Sequence, residues 1–418
     1  MRIAVVSLGS RGDVQPYVAL GAGLARAGHD VSIATHDVFR GWIEGLGLGF
    51  APVTGNPRDM LESDRTWLDA GRNPVAFMRG LVETGLALLP AMQRDCWRAC
   101  QGADALVFGL LGTMCVSIGE RLGIPAIPAF VMPMGRTREY PSPIVDAPGL
   151  PAWLNALSHR AVEQGFWLPT RGLVNDFRRE LGLTPFGLFG PYDAWFEKTD
   201  PMLFGYSAHV VPRPRDWGPN LAVTGYWFLD HPPDWRPPAD LAAFLAAGPP
   251  PVYVGFGSMT PRDPGTLAEK AIAALRRAGA RGVLLAGWGG LGRSDGDDDV
   301  LVVENVPHDW LFPRMGAIVH HGGAGTTAAA LRSGVPSLVV PFFADQPFWG
   351  RRVATLGAGP PPIPHGALTA ERLGEAIATM LGDAAMRDRA RAIGDAIAAE
   401  DGVGKAVGLI NRALTGRV

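Results

Sequence analysis

Apolar and polar positions alternate along the chain in blocks that predict strands followed by helices. "RIAVVSL" near the start is a continuous apolar run typical of a buried strand. "DVQPYVALGAGLARAGH", from Asp13, then repeats apolar residues with helical spacing as far as Gly28. "VSIATH" and "DALVFGLLGTMCVSIGERLGIPAIPAF" continue the alternation. Strands separated by helices of this length predict an α/β fold with a parallel sheet covered on both faces.

Prolines concentrate near the middle of the chain. Ten of the forty residues from Pro212 to Pro251 are proline, which predicts a connection without helix or central strand, because proline lacks a backbone donor. The strand–helix pattern then restarts with "PVYVGFGS", a helix from about Asp263 to Gly279, "AIVHH", and a helix from about Ala324 to Ser333. The predicted division is a first domain at 1–211, a connection at 212–250, a second domain at 251–395, and a C-terminal helix within 396–418 that packs back on the first domain.

Composition narrows the function classes. The 418 residues carry a net charge of −2, so the protein as a whole has no basic field for nucleic acid. Three cysteines, Cys96, Cys100 and Cys115, are too few for a disulfide framework or a zinc site, and we expect Cys96 and Cys100 in the core. No apolar run reaches the ~20 residues of a membrane helix, and the first residues do not resemble a signal peptide. We expect a soluble, cytoplasmic protein, a monomer or weak dimer, that holds no metal.

"VHHGGAGTT", from Val319 to Thr327, combines imidazole, glycine and hydroxyl groups at a predicted strand–helix turn. The glycines let the backbone turn tightly and approach a ligand. The helix N-terminus directs unpaired N–H groups and partial positive charge toward it. This favours an anion, and a phosphate fits best. A glycine turn that only begins a helix is the alternative. No Gly-Lys-Ser/Thr follows, which excludes a P-loop, and "GSRGD" in the first turn lacks a dinucleotide fingerprint.

The same region resembles the donor-binding motif of family 1 glycosyltransferases, through "HHGGAGTT", "GVP" and "VVPFFADQPFWGRRV". The motif spacing is met at His321, Gly334, Pro336, Pro341, Asp345 and Gln346. The resemblance implies the GT-B fold, with two doubly wound Rossmann-like parallel-sheet domains facing across a cleft. It also implies metal-independent, inverting transfer of a hexose from a nucleotide diphosphate sugar, without a further cofactor.

The resemblance assigns donor contacts to particular residues. His321 would contact the diphosphate, and Asp345 with Gln346 would hydrogen-bond the sugar hydroxyls. A helix N-cap is the alternative role for Asp345. The remaining contacts carried over are Thr326 with Gly323 and Gly325 at the β-phosphate, Ser258 at the phosphates, and Val306 in "NVPHDWLF".

Two positions depart from the plant members of this family. Asn305 stands where they have a tryptophan that stacks on uracil, and Trp288 could stack instead or simply pack. Ala329 stands where they have a glutamate that binds the ribose hydroxyls. Without that carboxylate the ribose 2′-hydroxyl is less strictly demanded, so thymidine-diphosphate sugars are not excluded.

The candidate base is Asp13. "SRGDVQP" resembles bacterial antibiotic and sterol-type members, and the shared proline aligns Asp13 with the catalytic histidine of plant members. The orienting aspartate of those members corresponds to about Gly109, and a carboxylate base needs no such partner to fix a tautomer. The alternative role for Asp13 is the N-cap of the following helix.

Two apolar segments are candidates for binding the acceptor. "PVAFMRGLVETGLALLPAM" includes Phe77 and Met78, and "PAFVMPMGRTREYPSP" includes Met132 and Met134. They suggest a lipophilic alcohol such as a sterol, macrolide, polyketide or phenol, although the same residues could fill the core. Peripheral membrane contact is expected only if that acceptor is a lipid.

Other functions remain open from the sequence. A nucleotide-sugar epimerase of the same fold and a non-catalytic sugar-nucleotide or lipid-binding protein are the alternatives to transfer.

Overall fold

The computed structural model describes residues 1–56, 74–145, 147–197, 201–257, 264–286 and 298–415. The chain forms two compact units, the first made of Met1–Leu229 with Asp401–Val418 and the second of Asp230–Glu400. In the described ranges, no helix is both long and apolar enough to cross a bilayer.

The first unit contains a seven-stranded parallel sheet in the order β3-β2-β1-β4-β5-β6-β7. Its strands are β1 (Arg2–Val6), β2 (Asp30–Thr35), β3 (Gly49–Pro52), β4 (Ala105–Phe108), β5 (Ala126–Phe130), β6 (Met202–Phe204) and β7 (Leu221–Val223). Its α-helices are α1 (Arg11–Arg26), α2 (Arg40–Gly45), α3 (Pro74–Ala99), α4 (Cys115–Leu122), α5 (Ala152–Glu180), α6 (Tyr192–Glu197) and, at the C-terminus, α14 (Gly402–Thr415).

The second unit contains a five-stranded parallel sheet in the order β10-β9-β8-β11-β12. Its strands are β8 (Val252–Gly255), β9 (Gly282–Leu285), β10 (Val300–Val303), β11 (Ala317–His320) and β12 (Ser337–Val339). Its α-helices are α7 (Ala239–Ala246), α8 (Pro264–Ala278), α9 (His308–Leu311), α10 (Ala324–Arg332), α11 (Gln346–Thr355), α12 (Ala370–Gly382) and α13 (Ala384–Ala398).

The predicted α/β class, with one parallel sheet in each of two domains, is confirmed. The apolar runs became buried strands, and the three cysteines are buried and unbridged in the core, as expected for Cys96 and Cys100. The expectation of no helix between Pro212 and Pro251 is wrong, because α7 lies there. Pro238 occupies the N-cap position of α7, where a missing N–H removes no helical hydrogen bond. The strand in this stretch, β7, is an edge strand, which tolerates nearby proline.

The C-terminal helix α14 is part of the core of the first unit. Ala406 and Ile410 are fully buried in the same hydrophobic cluster as Leu20 on α1. Gly23 makes the close packing possible, since a Cβ there would lie 2.3 Å from Cγ1 of Val403. The end of the chain therefore completes the layer of helices over the first sheet.

In both sheets the order of strands reverses once. The chain moves outward from β1 to β3 on one side and from β4 to β7 on the other, so the first reversal lies between β1 and β4. The second lies between β8 and β11. In open α/β sheets, ligands bind outside the carboxyl ends of the strands at these points. The loops after these four strands are therefore where each unit would bind a ligand.

Ile410→Ala should lower the free energy of unfolding of the first unit by about 2–4 kcal/mol, since it leaves a cavity where the side chain is fully buried. Urea titration of the full chain measures this. The exposed Lys405 on the same helix provides the control, and Lys405→Ala should change stability by less than about 0.5 kcal/mol. Equal effects of the two substitutions would contradict the packing of α14 described here.

Candidate active site

The glycine-rich turn joins β11 to α10. β11 ends at His320, and α10 begins at Ala324 with Gly323 at its N-cap. Gly322 has φ of 92°, and a Cβ there would lie 2.5 Å from Cγ1 of Val339, so the turn needs glycine. The first N–H groups of α10 have no carbonyl partner within the helix, and they point out of its N-terminus. The turn therefore presents N–H donors and the positive end of a helix dipole to an anion.

His321 lies against this turn with its ring close to two glycines. A Cβ on Gly257, just after β8, would lie 2.9 Å from Cε1 of His321, and one on Gly323 would lie 2.5 Å from Nε2. The imidazole thus fills the space between the loops after β8 and β11, which is the strand-order reversal of the second unit. Ser258, the predicted contact from the β8 loop, lies outside the described residues.

The His321 ring is neutral in the unliganded protein. Burial lowers the pKa of His321 to about 4, although the residue as a whole keeps partial exposure. Nδ1 is buried and has no hydrogen-bond partner among the described residues. The ring nitrogen nearest Gly323 is Nε2, and an imidazole N–H beside a helix N-terminus is suited to donate to a phosphate oxygen.

The preceding histidine has a structural role instead. His320 is fully buried at the end of β11, and its Nδ1 accepts the N–H of Gly322 at 3.1 Å. This bond requires the proton on Nε2, and burial holds the pKa of His320 well below the ordinary value. His320 therefore supports the turn that presents His321.

Asp345 and Gln346 follow a strained residue at the start of α11. Ala344 has φ of 55°, in the left-handed region that glycine normally occupies. Gln346 is only 4% exposed, and its Oε1 accepts the N–H of Phe342 at 2.8 Å. The Asp345 carboxylate accepts the indole N–H of Trp349 at 2.7 Å. These bonds fix the loop that carries the two predicted sugar contacts.

The N-cap alternative for Asp345 is confirmed in its position but not through a side-chain bond. Asp345 stands at the N-cap position of α11, but its carboxylate makes no capping hydrogen bond. A half-buried carboxylate oriented by an indole remains suited to accept from a hydroxyl.

Of the other residues predicted to contact the sugar donor, some lie at the start of α10, one is buried, and one is not described. Gly325 and Thr326 lie in the first turn of α10. The side chain of Val306 packs in the core of the second unit and is 6% exposed. Trp288 lies outside the described residues.

Asp13 lies in the first turn of α1, at the strand-order reversal of the first unit. Its Oδ2 accepts the N–H of Ser10 at 2.8 Å and the Ser10 hydroxyl at 2.9 Å. Gly9 has φ of 124°, and a Cβ there would lie 2.6 Å from Asp13 Oδ2. The N-cap of α1 is Ser10, so the alternative that made Asp13 the N-cap is wrong. Asp13 stands three residues further on, and its carboxylate binds back to the cap.

The surroundings of Asp13 make it easier to protonate than an ordinary aspartate. Desolvation raises its pKa and outweighs the hydrogen bonds from Ser10, which lower it. Asp13 is nevertheless solvent-exposed as a residue, and this exposure limits the rise. A carboxylate with a raised pKa is a stronger base than an ordinary aspartate.

Tyr17, one turn further along α1, was not identified from the sequence. Its buried hydroxyl donates to the carbonyl of Ala129 at 2.5 Å. Burial and the charge of Asp13 both raise the pKa of Tyr17. A Cβ on Gly109 would lie 2.8 Å from this hydroxyl. Tyr17 thus occupies the space that an orienting aspartate at position 109 would need.

His36, at the end of β2, was also missed. The N–H of Gly9 donates to His36 Nε2 at 3.1 Å, while Nδ1 lies 3.3 Å from the carbonyl oxygen of Val53. Burial lowers the pKa of His36, which keeps the ring neutral for both bonds. The imidazole therefore holds the turn before Asp13 in place. The sequence signal was a histidine directly after a buried strand.

The predicted acceptor residues are only partly described. Met132 and Met134 are half-buried in the turn after β5. β4 alone separates β5 from β1, so this turn lies about 10 Å along the sheet edge from the start of the Asp13 loop. Phe77 and Met78 belong to α3, but their side chains lie outside the described part of the structure.

A metal site is not formed by the described residues. Among them, no group of three or more His, Cys, Asp or Glu side chains could hold a metal ion.

Comparison with known proteins identifies the family. Residues 3–141 match the glycosyltransferase family 28 N-terminal domain, and residues 293–407 match the erythromycin biosynthesis protein CIII-like C-terminal domain. One sterol 3-beta-glucosyltransferase of Arabidopsis thaliana is 38% identical over 97% of this chain and 64% of its own length. A second is 37% identical over 99% of this chain and 68% of its own length. The glycosyltransferase of kitacinnamycin superposes with a TM-score of 0.69 at 21% identity, over 99% of both chains.

The chain therefore belongs to the family 1 glycosyltransferases of GT-B fold, and the resemblance seen in its motifs is confirmed. It spans about two thirds of the length of the two plant relatives. The solved structure, at 21% identity, supports the two-domain fold alone.

Affinity for UDP-glucose should rise by about threefold or more between about pH 7.5 and pH 5.5. Free His321 is neutral in this range because its pKa is about 4. A bound diphosphate favours the charged ring and raises that pKa, so the complex takes up a proton as the pH falls. Isothermal titration at both pH values measures the change.

The rise in affinity should disappear in His321→Gln. It should persist in His209→Gln, which alters an exposed histidine of the first unit. If His321→Gln keeps the full pH dependence, His321 does not contact the phosphates.

Proposed function

We propose that this protein transfers a hexose from a nucleotide diphosphate sugar, UDP-glucose or a TDP-sugar, to the hydroxyl of a sterol-like lipophilic acceptor. The observation that carries the proposal is the His321 ring packed against Gly257 and Gly323, beside the open N-terminus of α10. The sterol 3-beta-glucosyltransferases of Arabidopsis thaliana, at 38% and 37% identity, support the choice of sugar and acceptor.

In the proposed reaction, the acceptor oxygen attacks the anomeric carbon while the bond from that carbon to the diphosphate oxygen breaks. Asp13 takes the proton of the attacking hydroxyl, so the products are the glycoside, the nucleoside diphosphate and a protonated Asp13. Attack opposite the leaving group inverts the configuration at the anomeric carbon. The raised pKa of Asp13 and the two bonds that fix its carboxylate support this role.

The leaving diphosphate carries the charge that develops in the transition state. The N–H groups at the start of α10 and the ring N–H of His321 are fixed before the substrate binds. Fixed donors stabilise developing charge without reorganising, which is usually the largest contribution to catalysis. On this account the reaction needs no metal ion.

The acceptor proposal is supported by the turn after β5. Met132 and Met134 are flexible, apolar and half-buried, and they stand at the same sheet edge as the Asp13 loop. An apolar wall with few polar groups binds a lipophilic ring system and leaves its hydroxyl for the base. Cytoplasmic location and a monomeric or weakly dimeric state stay predictions from the sequence.

Epimerisation of the nucleotide sugar is the second candidate function. It would use the same phosphate site, with acid–base groups around the sugar. Asp13 supports transfer instead, because it belongs to the first unit, whereas the phosphate-binding turn belongs to the second.

Incubation with UDP-glucose or TDP-glucose and a panel of sterols, macrolides and phenols should give hexose adducts detectable by mass spectrometry. Asp13→Asn should lower kcat by at least ~10²-fold, the usual contribution of a general base, with little change in donor KM. The exposed Asp37, paired with Arg40, supplies the control, and Asp37→Asn should be as active as wild type. Wild-type turnover in Asp13→Asn would remove its assigned role, and adducts on polar acceptors alone would overturn the acceptor class.

A further inference from the structure

The solvent face of α5 is apolar where a surface helix is normally polar. Trp153, Leu157 and Leu168 are between 51 and 65% exposed. At 100° per residue they fall within about 60° of one another around the helix axis, along about 22 Å of its length. Packing against the described residues does not explain three large apolar side chains on one exposed line.

The loop that follows α5 extends this apolar face. Leu188 and Phe189 are 54% and 68% exposed. Their backbone is nevertheless held against α5, because Trp167 donates its indole N–H to the carbonyl of Leu188 at 2.7 Å and Gln164 donates to that of Phe189 at 3.0 Å. The loop therefore presents two apolar side chains to solvent from a fixed backbone. We call Trp153, Leu157, Leu168, Leu188 and Phe189 the apolar stripe.

The charges beside the apolar stripe are positive. Arg160 and Arg171 lie on the same line of α5, within about 20° of Trp153 around the axis. Glu163 is the one acidic residue of the helix between Ala152 and Gly172; it is buried, and Arg136 bonds it at 2.6 Å. Arg136 also pairs with the exposed Asp193. Although the net charge of the chain is −2, the exposed face of α5 carries arginine next to tryptophan and leucine.

The opposite side of α5 holds the candidate acceptor segment. Asn155 Nδ2 donates to the carbonyl of Arg138 at 3.0 Å, and Ser158 Oγ accepts the N–H of Ser142 at 2.9 Å. The ring of His159 lies 3.2 Å from the carbonyl oxygen of Tyr140. One helix therefore has the segment that follows Met132 and Met134 on one side and the apolar stripe on the other.

We propose that the apolar stripe docks on the surface of a phospholipid bilayer. Trp153, Leu168 and Phe189 enter the boundary between headgroups and acyl chains, and Arg160 with Arg171 binds lipid phosphates. Segments that lie in this interface combine tryptophan, phenylalanine and leucine, which enter it, with arginine and lysine, which are attracted to anionic headgroups. The inference rests on the proposed function, because a sterol-like acceptor resides in such a bilayer.

Flotation with vesicles tests the docking directly and needs neither donor nor turnover. The vesicles are phosphatidylcholine alone, or phosphatidylcholine with about one-quarter phosphatidylglycerol. The test variant is the double substitution Leu188→Ser with Phe189→Ser. The matched control is Val38→Ser, since Val38 is equally exposed, at 64%, on another surface of the first unit.

Wild type and Val38→Ser should float with the vesicles, and more strongly with the anionic ones. The double variant should lose at least ~10-fold in partitioning, because two large apolar side chains no longer enter the interface. Arg160→Gln with Arg171→Gln should reduce only the extra binding to anionic vesicles. If the double variant were unstable, Trp153→Ser alone should still weaken flotation severalfold.

Absence of wild-type flotation, or equal flotation of the wild type and the double variant, would overturn the proposal. So would a dimer by analytical ultracentrifugation that the double variant dissociates, since the apolar stripe would then be a protein interface. A protein that floats but transfers no hexose would refute the proposed function and leave the docking standing. Transfer to a detergent-dispersed acceptor should be equal in the wild type and the double variant.

Discussion

The N–H groups at the start of α10 have no carbonyl partner within their helix. The neighbouring residues of the second unit are arranged around this opening at the helix N-terminus. β11 ends directly before this turn, and the positive φ of Gly322 allows the backbone to turn. His320 Nδ1 accepts the N–H of Gly322 and so stabilises the turn. His321 then covers the side of the opening next to Gly257. Helix N–H donors presented in this way are the arrangement that favours an anion.

The first unit has a similar turn between β1 and α1, but this turn carries a negatively charged side chain. β1 also runs into a helix at the reversal of strand order, but here a carboxylate occupies the start of the helix. The Ser10 N–H and hydroxyl bind Asp13, and His36 holds the glycine before it. Similar strand–turn–helix units thus present a carboxylate in one case and N–H donors in the other, and this difference comes from a few side chains.

The sequence predicted what depends on local pattern. Buried strands, helix periodicity and the glycine-rich turn are written in consecutive residues, so the α/β fold and the position of His321 followed from them. Tyr17 and His36 were missed because their partners, Ala129 and Gly9, are far away in sequence, and nothing local indicates such bonds. The helix at Ala239–Ala246 was missed because proline density was counted without asking whether each proline stands before a helix start.

The central claim is that Asp13 acts as the base with a pKa above that of an ordinary aspartate. The pH dependence of kcat/KM tests it most directly. The account predicts that the rate falls with decreasing pH through an apparent pKa above that of an ordinary aspartate, because a protonated carboxyl cannot accept the hydroxyl proton. The fall due to Asp13 should persist in His321→Gln, which removes only the pH dependence of donor binding, and be absent from the residual activity of Asp13→Asn. An unchanged fall in Asp13→Asn, or its loss in His321→Gln, would contradict the account.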